Sequence, residues 1–119
     1  MTLLTFENTV LDAKLTPKLK ERLIKKNLDI IILTSLKHAP SNGYTIIKGM
    51  NQKYSYLPAS GTIYSTLLIL QKTGLVTASI SECGKKIYSL TEKGRLTLSA
   101  IAKIRSSLQA LYAEMLGGA

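Results

Sequence analysis

Gly61-Thr62-Ile63-Tyr64-Ser65-Thr66-Leu67-Leu68-Ile69-Leu70-Gln71-Lys72-Thr73-Gly74-Leu75-Val76 is the stretch that decides the fold. Ile63, Leu67 and Leu70 recur at helical spacing, so one side of a helix faces a core. Thr62, Ser65, Ile69 and Lys72 fall on the other side. The helix ends at Gly74 and runs directly into a strand. Leu75–Ile80 and Lys86–Leu90 alternate as two antiparallel strands, with Ser81–Lys85 as the turn between them and Gly84 inside it. A helix with short polar side chains, followed by a hairpin with Lys85 and Lys86 at its turn, suits entry into a DNA groove.

Upstream, Thr16-Pro17 is a helix start, with Thr as cap and Pro at the first helical position. That helix runs to Lys26, with Leu19 and Leu23 one turn apart; residues 1–14 carry no clear signal. A second helix covers Leu28 to Lys37. Its run Ile30-Ile31-Ile32-Leu33 is apolar nearly all round, which predicts burial on more than one side. Asp29 and His38 suit the two ends of its dipole, and Ala39-Pro40 stops it. Ser41-Asn42-Gly43 is a turn and cap for a helix to about Gln52, packing through Tyr44, Ile47 and Met50. Ser60 or the residue before it caps the next helix. Downstream, Thr91-Glu92-Lys93-Gly94-Arg95 opens one last helix. Ile101, Ile104, Leu108, Leu111 and Met115 recur in it at spacings of three and four, an a/d stripe that fits a partner chain better than the domain's own core, the alternative, since three helices and a hairpin already supply that core.

The element order predicts a mainly α winged helix-turn-helix with a small β-hairpin wing. The 119 residues read as one domain: an N-terminal extension over 1–26, a winged-helix core over 27–94 and a dimerisation helix over 95–119. Sixteen Lys and Arg oppose seven Asp and Glu, a net charge of +9 spread along the chain. Such a balance favours a polyanion. Only Arg22, Arg95 and Arg105 are arginines, and Lys is a point charge suited to phosphates rather than a fork for guanine edges.

Other chemistry finds little support. The chain has one His, His38, and one Cys, Cys83. It shows no paired carboxylates, phosphate-cradling Gly loop or nucleophile-base spacing, and no ligand cluster for a metal. We therefore expect no enzyme, no cofactor and no metal. The single Cys rules out an internal disulfide and fits a reducing cytoplasm. No secretory leader is recognisable, and no apolar run approaches the roughly 20 residues of a membrane span. With one Phe, no Trp and only Tyr88 in the hairpin strands, a single-stranded RNA platform is poorly supported.

From about Leu28 to Gly94 the sequence resembles the PadR-like family of winged-helix DNA-binding proteins. The resemblance rests on Asn42-Gly43-Tyr44-Thr45-Ile46-Ile47-Lys48, on Gly61-Thr62-Ile63-Tyr64 with Leu67 and Gly74-Leu75-Val76, and on Lys86-Ile87-Tyr88-Ser89-Leu90-Thr91-Glu92-Lys93-Gly94. Ser65 stands where the family usually has Pro, and Asn42 where it often has His; residues 1–26 lie outside the match. The resemblance implies a homodimer on double-stranded DNA, most often a repressor. The same fold also serves plasmid segregation, where dimers spread along DNA. A small-molecule effector held between subunits is not favoured, since no Trp is present to sandwich it. A basic protein-interaction adaptor is the non-DNA alternative. The candidate DNA contacts are Ser41, Asn42, Ser60, Thr62, Tyr64, Ser65, Lys72, Lys85 and Lys86. The candidate dimer contacts are Ile101, Ile104, Leu108, Leu111 and Met115.

Overall fold

The computed structural model describes residues 16–117. Phe6 and Leu11, apolar candidates for a contact made by the N-terminal extension, lie outside the described residues. The elements are α1 (Thr16–Lys26), α2 (Leu28–His38), α3 (Gly43–Tyr54), α4 (Ser60–Lys72), β1 (Val76–Ile80), β2 (Lys86–Leu90), α5 (Glu92–Lys103) and α6 (Arg105–Met115). This is a mainly α winged helix.

Helix α2 is the centre of the core. Its apolar run leaves Ile32 fully buried and Leu33 and Leu36 nearly so, packed against α4, β2 and α5. Ile46 of α3, Ile63 and Leu67 of α4 and Val76 of β1 complete the dry centre. Each such side chain contributes about 1.5–3 kcal/mol by leaving water. Two expected contacts move. Tyr44 leaves the core, and Ile46 takes its place with Met50. The i, i+4 pair Ile46–Met50 shares one face, whereas Tyr44 lies two residues from Ile46 and therefore points across the helix. In α1, Ile24 is the buried residue, while Leu19 and Leu23 are exposed.

The hairpin pairs Val76 with Leu90 through to Ile80 with Lys86. Tyr88 and Leu90 face the core from β2. The loop before α3 adds a third edge: Ser41 N–H donates to Tyr88 O at 3.0 Å, and Tyr88 N–H to Ser41 O at 2.8 Å. At the hairpin turn Gly84 adopts φ +79, a left-handed conformation that suits a residue without Cβ.

Helix α4 ends in a Schellman turn. Thr73 is the C-cap and Gly74 follows at φ +80. Leu75 N–H donates to Leu70 O at 2.9 Å and Gly74 N–H to Gln71 O at 3.1 Å, so carbonyls otherwise orphaned are satisfied. The start of α5 is knotted onto this turn. Thr91 Oγ1 donates to Gly74 O at 2.6 Å, Lys93 Nζ donates to Thr73 O at 2.9 Å, and Thr91 N–H donates to Leu75 O at 3.1 Å. Thr91 also caps α5 by accepting from Gly94 N–H at 3.1 Å. Gly94 is buried because a Cβ there would run into Leu75 O.

Ala59, the residue before Ser60 and one of the two caps expected, is the N-cap of α4; it has no side-chain acceptor, and its carbonyl receives Thr62 and Ile63 N–H. One local expectation is corrected. The last helix is not continuous. Ile104, at φ −92 and ψ 7, separates α5 from α6, and its N–H closes a tight turn onto Ile101 O at 3.2 Å. The weak helix formers Ser106-Ser107 follow at once in the first turn of α6.

Candidate nucleic-acid interface

Burial of Ile63, Leu67 and Leu70 turns the opposite side of α4 outward. Thr62, Ser65, Ile69 and Lys72 are all exposed there. Ser65 Oγ donates to Thr62 O at 3.1 Å, as Thr66 Oγ1 does at 2.8 Å. The Ser65 proton is thus committed to its own helix, and its oxygen remains an acceptor for an outside donor. Lys72 brings its charge to the last turn of α4, where the dipole favours a cation. Ser60 lies exposed in the first turn.

A second group gathers where α3, α4 and the wing meet. Asn42, Tyr44, Tyr64, Lys85 and Lys86 line one open cleft of about 320 Å³. Asn42 Oδ1 caps α3 by accepting from Thr45 N–H at 2.8 Å, which leaves its amide nitrogen as a donor. Tyr64 is 45% exposed and Tyr44 69% exposed. Every polar side chain of this cleft can donate a hydrogen bond, two carry positive charge and none is acidic. Lys86 Nζ lies 5.6 Å from the centroid of the Tyr88 ring, which steadies it at the edge. Ser41 sits apart from this group: half-buried, its backbone is spent on β2 and its hydroxyl reaches Ala39 O at 3.4 Å. Tyr44 is the member that sequence reasoning placed in the core. The signal for its true place was the competing Ile46–Met50 pair, which leaves Tyr44 on the far side of α3.

At the wing tip, Cys83 is exposed and its Sγ lies 3.3 Å from Ser81 Oγ. That hydrogen bond, helped by the Lys85 charge, holds the thiol below its ordinary pKa. Among the described residues no His, Cys, Asp and Glu cluster could hold a metal ion, and no helix is long and apolar enough to cross a membrane.

The candidate dimer residues follow one side of α5 and α6. Ile101 is half-buried, while Ile104, Leu108, Leu111 and Met115 are exposed, the last two by 51% and 63%. Helix α6 buries no residue against its own chain.

Comparison with known proteins agrees with this fold. The chain is 41% identical over 69 residues to the transcriptional regulator YqjI of Escherichia coli K12, a match covering 56% of this chain and 33% of that protein. An uncharacterized protein YqjI from Shigella flexneri matches equally. The chain thus matches about a third of the length of these curated relatives. Among solved structures, a PadR family transcriptional regulator from Eggerthella lenta superposes with a TM-score of 0.74 at 19% identity, over 92% of this chain and 98% of that one, a likeness of fold. Bacillus subtilis PadR, solved in complex with operator DNA, superposes with a TM-score of 0.58 at 26% identity, over 63% of this chain and 46% of that one. The model of the transcriptional regulator PadR-like family matches residues 32–100, the stretch from the buried middle of α2 through the wing to α5, and the chain belongs to that family.

Proposed function

We propose that this regulator is a site-specific, double-stranded DNA-binding homodimer that acts as a repressor. In it, residues 27–94 form the DNA-binding core, 95–119 the dimer contact and 1–26 an extension that braces the dimer or links neighbours on DNA. One observation carries the reading: the exposed face of α4 and the lysines of the wing meet through Tyr64 in a single donor-rich surface. Such a surface offers short polar side chains to base edges and cations to the flanking phosphates. The operator complex of Bacillus subtilis PadR supports the same use of this fold. Repression needs only occupancy of a promoter, and the polar surface described here supplies occupancy. The Escherichia coli relative and the matched family are transcriptional regulators, which favours this role over segregation.

The test is duplex binding against salt. If each subunit neutralises about four phosphates through Lys72, Lys85, Lys86 and one lysine of the N-terminal region, the dimer neutralises about eight. The logarithm of the affinity then falls with the logarithm of salt at a slope of roughly −7. A slope near zero from low to moderate salt sinks the DNA reading and favours an adaptor that binds an acidic protein.

A further inference from the structure

The cleft between α3, α4 and the wing holds more order than a basic patch requires. The hydroxyl end of Tyr64 is pinned over the first residue of α3: a Cβ built on Gly43 would lie 2.5 Å from Tyr64 Cζ and 2.6 Å from its Oη. Glycine at this position is what admits the ring. Tyr44, the next residue, reaches the same cleft from the first turn of α3, where its own N–H has no acceptor within the helix. Asn42 uses its carbonyl oxygen for the cap and so presents its amide nitrogen. Lys85 and Lys86 close the other wall. Two tyrosines, an asparagine, two lysines and the positive end of a 12-residue helix line one cleft, and no carboxylate is among the lining residues.

Resting on the DNA reading above, we propose that this cleft is a single-phosphate clamp. One phosphodiester of the DNA backbone seats between Tyr44 and Tyr64, and the wing lysines neutralise it. The clamp sets the register of α4 in the groove without reading a base. Tyr44 is thereby a positioning residue. Gly43 is a second one, because it lets Tyr64 stand in the cleft.

The clamp separates hydrogen bonding from charge, and that makes it testable. The probe is a mixed-sequence 30-bp duplex, sufficient because a phosphate contact does not depend on sequence. Tyr44→Phe and Tyr64→Phe each remove one hydroxyl per subunit and no charge. Each is expected to weaken dimer binding about 10- to 100-fold with the salt slope unchanged. Lys85→Ala is expected to lower the slope by about two per dimer. Because both hydroxyls serve one phosphate, the double Tyr variant loses less than the product of the single losses. Gly43→Ala displaces the free end of the Tyr64 side chain, so it is expected to bind like Tyr64→Phe while its thermal unfolding stays near that of the parent. Unchanged affinity in either Phe variant, or losses that multiply in the double variant, overturns the clamp while leaving DNA binding intact. Failure of the parent protein to bind this duplex at low salt overturns the DNA reading and the clamp with it.

Discussion

Gly49 and Gly94 show how far one residue type can differ in meaning. Gly94 lies at the knot between the α4 turn and α5, where the atom nearest an added Cβ is the backbone oxygen of Leu75, which cannot swing away. Gly94→Ala should lower stability by roughly 2 kcal/mol net, since overpacking outweighs the gain in helix propensity. Gly49 lies in α3 with nothing within 4 Å of an added Cβ. Gly49→Ala should raise stability by about 0.5–1 kcal/mol. Urea midpoints at constant m check both signs. Cys83 offers a reporter of the wing. Its thiol is held below the ordinary value by Ser81, so it carries more thiolate near neutral pH than a free cysteine. Alkylation at pH 7 should slow in Ser81→Ala, and a bound duplex should slow it in the parent. Equal rates with and without DNA would place the wing tip away from the duplex. Tyr44 was the residue hardest to read from sequence. Its spacing to Ile47 imitates a core stripe, and only the geometry of Ile46 with Met50 settles which stripe is buried.

Among the elements, α4 and the hairpin were the most legible. Ile63, Leu67 and Leu70 mark one face of α4 without ambiguity, Gly74 supplies the stop, and the alternation of Lys86–Leu90 matches the strand boundaries. The PadR-like resemblance drawn from these same motifs is supported by the family match. The break at Ile104 was not legible, because the apolar stripe runs through it and neither Pro nor Gly marks it. The cap of α4 is legible to within one residue: Ser60 is a good cap type, but Ala59 before it takes the position and offers only its backbone carbonyl. Helix α6 has 11 residues and no buried side chain. An isolated helix shorter than about 12–15 residues is marginal in water, which argues for a partner across the Leu108 and Leu111 face. Leu108→Lys with Leu111→Lys should therefore yield monomers by light scattering, with the winged-helix core still folded by circular dichroism. A variant that stays dimeric would move the proposed interface to the N-terminal region, with Leu19 and Leu23 as an exposed apolar pair on α1.

For the whole molecule, a net charge of +9 favours any polyanion, so specificity in the proposed DNA complex has to come from geometry. A two-fold dimer places its recognition helices about 34 Å apart, which suits half-sites about 10 bp apart centre to centre. Footprints of the proposed dimer should cover one such pair and stay fixed as protein concentration rises. A footprint that grows in steps with full-length protein, but not with protein starting near Lys26, would instead assign residues 1–26 to spreading along DNA. The knot of Thr91, Lys93 and Gly94 onto the α4 turn has a mechanical meaning for such a dimer. It ties α4 to α5, so in the proposed dimer the two would move together about the irregular residue Ile104. Helix α5 has 12 residues and spans about 18 Å. A change of about 10° at Ile104 would move the first turn of α5 by about 3 Å, nearly the rise of one base pair, about 3.4 Å. In the proposed dimer, a bend confined to Ile104 would therefore change the separation of the two α4 helices while leaving the packing of each winged-helix core as it is.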